Sequence, residues 1–158
     1  MRPLWLSGLA ALLLFLGIAW TLAPLQPGIL VLQFAFTPAS FAAVIHNWPA
    51  AHLALFRAHF AADYALLVCY GAFGYLCSTR TTVFASLTVP WQSAARWALP
   101  LAAAFDATEI ALQLWLTEAP RFGHQVLYFA TASCALAKWL LLIAFGALAL
   151  ISSARSKP

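Results

Sequence analysis

The chain has 158 residues, of which 65% are apolar and 8% are charged, and its mean hydropathy is +0.90. Charged residues make up about a quarter of a typical soluble domain, so this composition excludes a soluble protein and indicates an integral membrane protein. The formal charge of +4 comes from eight Lys and Arg against four acids. Because these basic residues occur singly and not in a run, the sequence argues against a nucleic-acid partner.

The length accommodates about four membrane spans of roughly 20 residues and no separate soluble domain. The predicted fold class is all-α: a polytopic membrane protein with a four-transmembrane-helix bundle and a short amphipathic outer helix. A span is favoured over a signal-like anchor at the N-terminus, because the apolar stretch is long and Pro24 follows the plausible cleavage point Ala23. The second predicted span contains Gly71 and Gly74, which lack side chains, so we expect a neighbouring helix to approach it closely. Within a single domain, 1–158, the predicted spans are about 4–23, 59–78, 97–117 and 126–151.

The segment between the first two predicted spans is less regular. Thr37 followed by Pro38 is a helix start signal, since Thr is a good N-cap and Pro is tolerated at the first helical position. We predict a short amphipathic helix over about 38–47, lying on the outer membrane surface and closed by Trp48 at the interface. An extra span over 28–45 is the alternative, and the Gln and Pro near its middle count against it.

The distribution of basic residues predicts the orientation. With four spans, five Lys and Arg residues fall on one side and two on the other, so the positive-inside rule places both termini in the cytoplasm. The first group is Arg2, Arg80, Arg96, Arg155 and Lys157, and the second is Arg57 and Arg121.

The third predicted span carries Asp106, Glu109 and Gln113 within an otherwise apolar run. Residues three and four apart are neighbours on a helix, so these side chains share one face. A charged side chain at the bilayer centre costs about 2.5–3.5 kcal/mol on insertion scales. This face must therefore meet protein or water, and the two carboxylates imply a partner, a proton or a function.

Lys138 in the fourth predicted span lies at the depth of Asp106. With a rise of about 1.5 Å per residue, both lie roughly 16 Å from the outer surface, and Tyr70 of the second span lies at about 15 Å. We therefore predict that these side chains meet inside the bundle, with Asp63 nearer the outer surface. The predicted intramembrane polar cluster consists of Asp106, Glu109, Lys138, Tyr70, Asp63 and Gln113.

This cluster has two interpretations. In the first, Lys138 pairs with Asp106 and locks the third span against the fourth, which also fixes their register. In the second, two carboxylates beside one ammonium leave a formal charge of −1, so one acid must carry a proton or another cation. Such sites occur in proton relays and substrate-coupled carriers. Access of water to Glu109 would separate the two interpretations.

Metal binding and catalysis receive little support from the sequence. His52 and His59 are seven residues apart and Asp63 follows His59 by four, which makes a metal site geometrically possible. Histidine on an interfacial stretch is the simpler interpretation, and no metal is predicted without a tighter pattern. No catalytic residue or cofactor is assigned. If the protein were an enzyme, Asp106 and Glu109 would transfer a proton on a lipid-soluble substrate.

Several stretches together resemble a set of small bacterial four-span membrane proteins of unknown function: FAFTPASFAAVIHNW, FRAHFAADYALLVCYGAFGYL, FDATEIALQL and the single Lys of the last span. Ile110 stands where an Asn is frequent in that set, which leaves one polar group fewer beside Glu109. The resemblance implies no activity. An Ala-rich, Trp-rich composition with more Arg than Lys also suits a bacterium with GC-rich DNA. The residues that match the pattern are Thr37, Trp48, Asp63, Tyr70, Asp106, Glu109 and Lys138.

The sequence thus predicts a bacterial inner-membrane protein, more consistent with a non-enzymatic role than with an enzyme. It is expected to be an accessory protein or a binder of an apolar ligand. A small proton-linked transporter that uses Asp106, Glu109 and Lys138 is the alternative, and a membrane enzyme acting on a lipid-like substrate is the second alternative. The expected partners are the lipid bilayer and either an apolar small molecule or another membrane protein.

Overall fold

The computed structural model describes residues 1–118 and 120–155, and its regular structure is entirely helical. Among these residues, four helical stretches are long and apolar enough to cross a membrane: Arg2–Leu22, Ala50–Arg80, Val89–Glu118 and Gln125–Arg155. The predicted all-α fold with four candidate spans is therefore confirmed. In chain order the helices are α1 (Arg2–Leu22), α2 (Ile29–Gln33), α3 (Pro38–Ile45), α4 (Ala50–Ala58), α5 (Phe60–Arg80), α6 (Val89–Glu118) and α7 (Gln125–Arg155).

The third long helix begins eight residues earlier than predicted. The sequence was expected to form a connection until Arg96, whereas α6 begins at Val89. Pro90 is tolerated there because the first turn of a helix needs no N–H donor from it. The connection before α6 packs against α7, since Phe84 and Leu87 are buried in a cluster with Phe145 of α7.

The long helices are antiparallel neighbours in chain order. α5 packs against α1 and α6, and α6 packs against α7. Gly74 of α5 lies so close to α6 that a Cβ atom there would come within 2.4 Å of the Leu99 Cβ. Small residues at helix interfaces in membranes allow such close approach, and Ala95, Ala98 and Ala102 of α6 are buried as well.

The start of α3 follows the predicted capping signal. The Ser40 backbone N–H donates to Thr37 Oγ1 at 3.1 Å, and the Thr37 backbone N–H donates to Ser40 Oγ at 3.2 Å. This reciprocal pair satisfies two donors that the first helical turn leaves unpaired, so the predicted N-cap is confirmed. The helix ends at Ile45, two residues before the predicted end, and the chain between Gln33 and Pro38 is not helical. No continuous helix therefore covers 28–45, the alternative extra span.

Helix α3 does not simply rest on a membrane surface, because α7 covers its apolar side. Phe41 is buried and its ring lies 5.1 Å from the Tyr128 ring, centroid to centroid. Trp48, expected at the interface, is also buried, and its Nε1–H donates to the Pro27 carbonyl at 2.9 Å. We call the segment from α2 to α3 the cap; it packs against the side of α7.

The basic residues counted for the orientation are distributed over several helices and connections. Lys157, which contributes to the count of basic residues, lies outside the described residues. Arg2, Arg80 and Arg155 lie at the termini of α1, α5 and α7, whereas Arg96 lies two turns inside α6.

Candidate intramembrane polar site

One face of α6 supplies most of the polar site. Asp106, Glu109, Gln113 and Thr117 recur every three or four residues, so a single helical stripe carries all four. All four are buried, whereas Phe105 on another face of the helix is exposed. The hydroxyl of Thr117 donates to the Gln113 carbonyl at 2.8 Å and is therefore satisfied within its own helix.

Lys138 of α7 is the cation of the site. Its Nζ donates to Asp106 Oδ1 at 2.8 Å and lies 2.6 Å from Glu109 Oε2. Lys138, Asp106 and Glu109 are only 5%, 9% and 1% exposed. The ammonium therefore contacts both carboxylates, and the group carries a formal charge of −1 when both acids are ionised.

Two neutral side chains complete the set of hydrogen bonds. The Tyr70 hydroxyl of α5 donates to Asp106 Oδ2 at 3.1 Å, and Gln113 Nε2 donates to Glu109 Oε1 at 2.8 Å. Three of the four carboxylate oxygens therefore accept a hydrogen bond, and the fourth, Glu109 Oε2, makes an ion-pair contact with the Lys138 ammonium but no aligned hydrogen bond. Since unpaired buried charge is costly, these hydrogen bonds and ion pairs are what permits two carboxylates in the interior of the bundle. We call this group the polar layer; it comprises Tyr70, Asp106, Glu109, Gln113 and Lys138.

Asp63 does not join the polar layer. Its Oδ2 lies 2.9 Å from His59 Nε2, one helical turn earlier on the chain, and His59 Nδ1 contacts the Phe56 carbonyl. His59 is buried and its ring packs against Phe56 and Phe60. The structure thus brings together five of the six residues predicted for the cluster and places Asp63 in a separate pair.

The metal site considered from the sequence is not assembled. Among the described residues, no group of three His, Cys, Asp or Glu side chains is arranged to hold a metal ion. His59 is engaged with Asp63 and with the Phe56 carbonyl, and His52 does not join them.

A polar contact next to the layer was not predicted. The Trp139 Nε1–H donates to Gln33 Oε1 at 3.1 Å, which ties α2 to the middle of α7. The same indole ring lies 5.7 Å from Lys138 Nζ, within the range of a cation–π contact. The available signal was a lone Gln in the apolar stretch 29–36, which by itself does not name a partner.

Two cavities lie away from the polar layer. One, of about 550 Å³, is lined by Trp115, Arg121 and His124 among others, near the start of α7. The other, of about 500 Å³, lies between α1 and α5 and is lined largely by apolar residues, with His59 at its edge. Neither cavity is lined by a residue of the polar layer.

No protein-family model, curated protein or solved structure matches this chain. The resemblance to four-span bacterial membrane proteins therefore rests only on the residues quoted for it. The geometry alone defines what the site can do: it can hold two helices together through charge, and it can accept one additional proton.

Proposed function

We propose that the chain is a non-enzymatic membrane protein, an accessory subunit or a binder of an apolar ligand, in which the polar layer fixes the long helices relative to one another. We further propose a bacterial inner membrane with both termini in the cytoplasm. The observation that supports the structural role is that the Lys138 ammonium contacts both buried carboxylates, whose remaining oxygens accept hydrogen bonds from Tyr70 and Gln113.

The polar layer suits this role because its contacts are specific in position. Lys138 reaches two carboxylates one turn apart on α6, and Tyr70 reaches one of them from α5. A shift of α7 by one turn would remove the cation from at least one of the two acids, and stranding a buried charge costs about 3–5 kcal/mol. Apolar helix faces alone set register weakly in a bilayer, since lipid tails are as apolar as Leu.

The test is infrared spectroscopy of the carboxyl groups in nanodiscs between about pH 5 and 9, a range that spans ordinary shifts of buried acids. Difference spectra of the wild type against Glu109→Gln isolate the Glu109 signal. A closed, paired layer gives no titrating Glu109 band. Glu118→Gln is the matched control because Glu118 lies on the same helix and its side chain is 70% exposed. A Glu109 band that titrates in this range would contradict the structural role.

The charge balance of the layer favours proton-linked transport as a second candidate. Two carboxylates face one ammonium, so one proton or cation beyond Lys138 neutralises the site. Asp106 receives donors on both oxygens, from Lys138 and from Tyr70. The Gln113 amide has a donor at one end and an acceptor at the other, so by rotating it can serve Glu109 in either protonation state. Glu109 is therefore the acid that would carry the proton.

A flux measurement separates this candidate from the first. Proteoliposomes with an internal pH indicator are subjected to a potassium diffusion potential, and the rate of internal acidification or alkalinisation is recorded. Transport through the layer predicts a flux that Glu109→Gln abolishes and Glu118→Gln preserves. Equal rates for wild type and Glu109→Gln would exclude proton movement through Glu109.

A further inference from the structure

The antiparallel arrangement gathers basic residues at one end of the bundle. α5 ends, α6 begins and α7 ends at this end, as the contacts of the α5–α6 connection with α7 show, and α1 begins there because its Gly8 lies beside Phe73 in the second half of α5. There the Ser86 hydroxyl lies 2.6 Å from that of Ser152, and the Phe84 and Phe145 rings are 5.3 Å apart. We call this the arginine end; it carries Arg2, Arg80, Arg96 and Arg155, all exposed.

Within the described part of the chain, no acidic side chain lies at the arginine end. Among the described residues, the carboxylates are Asp63, Asp106, Glu109 and Glu118, which lie in the polar layer or towards the opposite end. None of the four guanidinium groups of the arginine end has an ion-pair, hydrogen-bond or ring partner within the described part of the chain.

The two arginines at the opposite end show the contrast. Arg57 lies 3.8 Å from Glu118 Oε1, and the Arg121 guanidinium lies 5.2 Å from the Trp115 ring centroid. Both side chains therefore have a partner within the protein. A difference in burial does not explain why only one end has partners for its arginines, because Arg121 is exposed like the arginines of the other end.

Exposed tryptophans accompany the arginine end. Trp5, Trp91 and Trp97 are all exposed, and the Trp97 ring lies 5.8 Å from the Tyr75 ring. Tryptophan and tyrosine concentrate where hydrocarbon meets headgroups, because the ring is apolar and its N–H or O–H is polar. The neighbouring guanidinium groups can extend from this level into the headgroup region.

We infer that the arginine end binds the headgroups of anionic phospholipids in preference to zwitterionic ones. A guanidinium presents a planar set of donors that matches phosphate oxygens in pairs, and it keeps its charge at all physiological pH values. A zwitterionic headgroup carries its own cation, which offsets the attraction, whereas an anionic one does not. The inference does not depend on which proposed function holds, since it concerns residues outside the polar layer.

The experiment counts lipids that remain bound to the protein. The protein in detergent is mixed with equimolar phosphatidylglycerol and phosphatidylcholine of the same acyl chains, and bound lipids are counted by native mass spectrometry. Arg80→Gln/Arg96→Gln alters the arginine end, and Arg57→Gln/Arg121→Gln removes the same charge from the opposite end. We expect several-fold more phosphatidylglycerol than phosphatidylcholine on the wild type and on the control pair, with a fall of at least about twofold in the first variant.

Two results would overturn the inference: equal binding of the two lipids by the wild type, or an equal fall in both double variants. If Arg80→Gln/Arg96→Gln does not fold, as judged by its thermal midpoint, Arg155→Gln replaces it because Arg155 lies at the exposed end of α7. The single variant is expected to lower the preference for phosphatidylglycerol in the same direction, and an unchanged preference would equally overturn the inference.

Discussion

Lys138 Nζ lies 2.8 Å from Asp106 Oδ1, although the two residues are 32 positions apart and belong to different helices. The same ammonium lies 2.6 Å from Glu109 Oε2. One cation thus contacts two anions spaced by one helical turn, and both contacts depend on the register of α7 against α6. The stability of this interface should therefore respond sharply to changes in charge at these three positions.

Replacing the cation should strand two carboxylates. We expect Lys138→Met to lower the free energy of unfolding by about 3–5 kcal/mol, because a buried charge loses its partner. Lys138→Met with Asp106→Leu should recover part of the loss, and the further change Glu109→Gln should recover most of it. Reversible unfolding in mixed micelles measures each value. Identical stabilities for the single and double variants would mean that Lys138 and Asp106 are not partners.

The two acids should differ in their tolerance of neutralisation. Asp106 accepts hydrogen bonds from Lys138 and Tyr70. Glu109 accepts one from the Gln113 amide, which can rotate to present either its N–H₂ group or its oxygen. Asp106→Asn leaves one acceptor oxygen for the two donors Lys138 and Tyr70 and should cost about 1–3 kcal/mol, while Glu109→Gln should cost less than about 1 kcal/mol. Thermal midpoints of the purified variants test the order. A larger loss for Glu109→Gln would show that Glu109 is the principal partner of Lys138.

Gly74 should be essential to the α5–α6 contact. A Cβ atom at this position would lie 2.4 Å from the Leu99 Cβ, so Gly74→Ala must displace one helix and should cost about 1–3 kcal/mol. Gly146 of α7 is the matched control, because a Cβ atom there meets nothing within 4 Å. Gly146→Ala should be neutral or slightly stabilising, since Ala is the better helix former. Equal thermal midpoints for the two variants would contradict the close approach.

The cap should loosen when α2 loses its tie to α7. Gln33→Leu removes the acceptor of the Trp139 Nε1–H and should raise hydrogen exchange across 23–36, with a loss of about 1–2 kcal/mol in global stability. Trp139→Phe in the same background removes the orphaned donor as well. Apart from the stability lost because the Phe ring buries less area than the Trp ring, the double variant should therefore be as stable as Gln33→Leu. Unchanged exchange in 23–36 after Gln33→Leu would show that this bond does not secure the cap.

The composition of the polar layer was largely predictable, and the contacts around it were not. The spacing of Asp106, Glu109 and Gln113 requires only helical periodicity, and the depth of Lys138 requires only the rise per residue. The pairing of Asp63 with His59 is equally local. From the sequence, however, Asp63 could contact either His59 or the polar cluster, and in the structure it contacts His59, one helical turn away. The bond between Gln33 and Trp139 joins residues 106 apart, and no local rule specifies such a pair.

The cap illustrates a similar limit in packing. Thr37 identifies the start of α3 because capping depends on neighbouring residues alone. The burial of its apolar face depends on where α7 passes, and hydrophobicity does not distinguish a face that meets lipid from one that meets protein. For the same reason the pattern did not reveal that Phe84 and Leu87 are buried.

The order of the polar layer along the chain has a consequence for membrane insertion. Both carboxylates emerge from the ribosome on α6, and their cation follows 29 residues after Glu109, on α7. Until α7 arrives, α6 enters the bilayer with its acids unpaired by Lys138, which favours either protonated acids or retention beside the insertion machinery. The last helix to be synthesised therefore supplies the cation that pairs with the acids of the previous helix. A chain that stops before Lys138 should leave both acids without their cation and be recognised by the cell as an incomplete membrane protein.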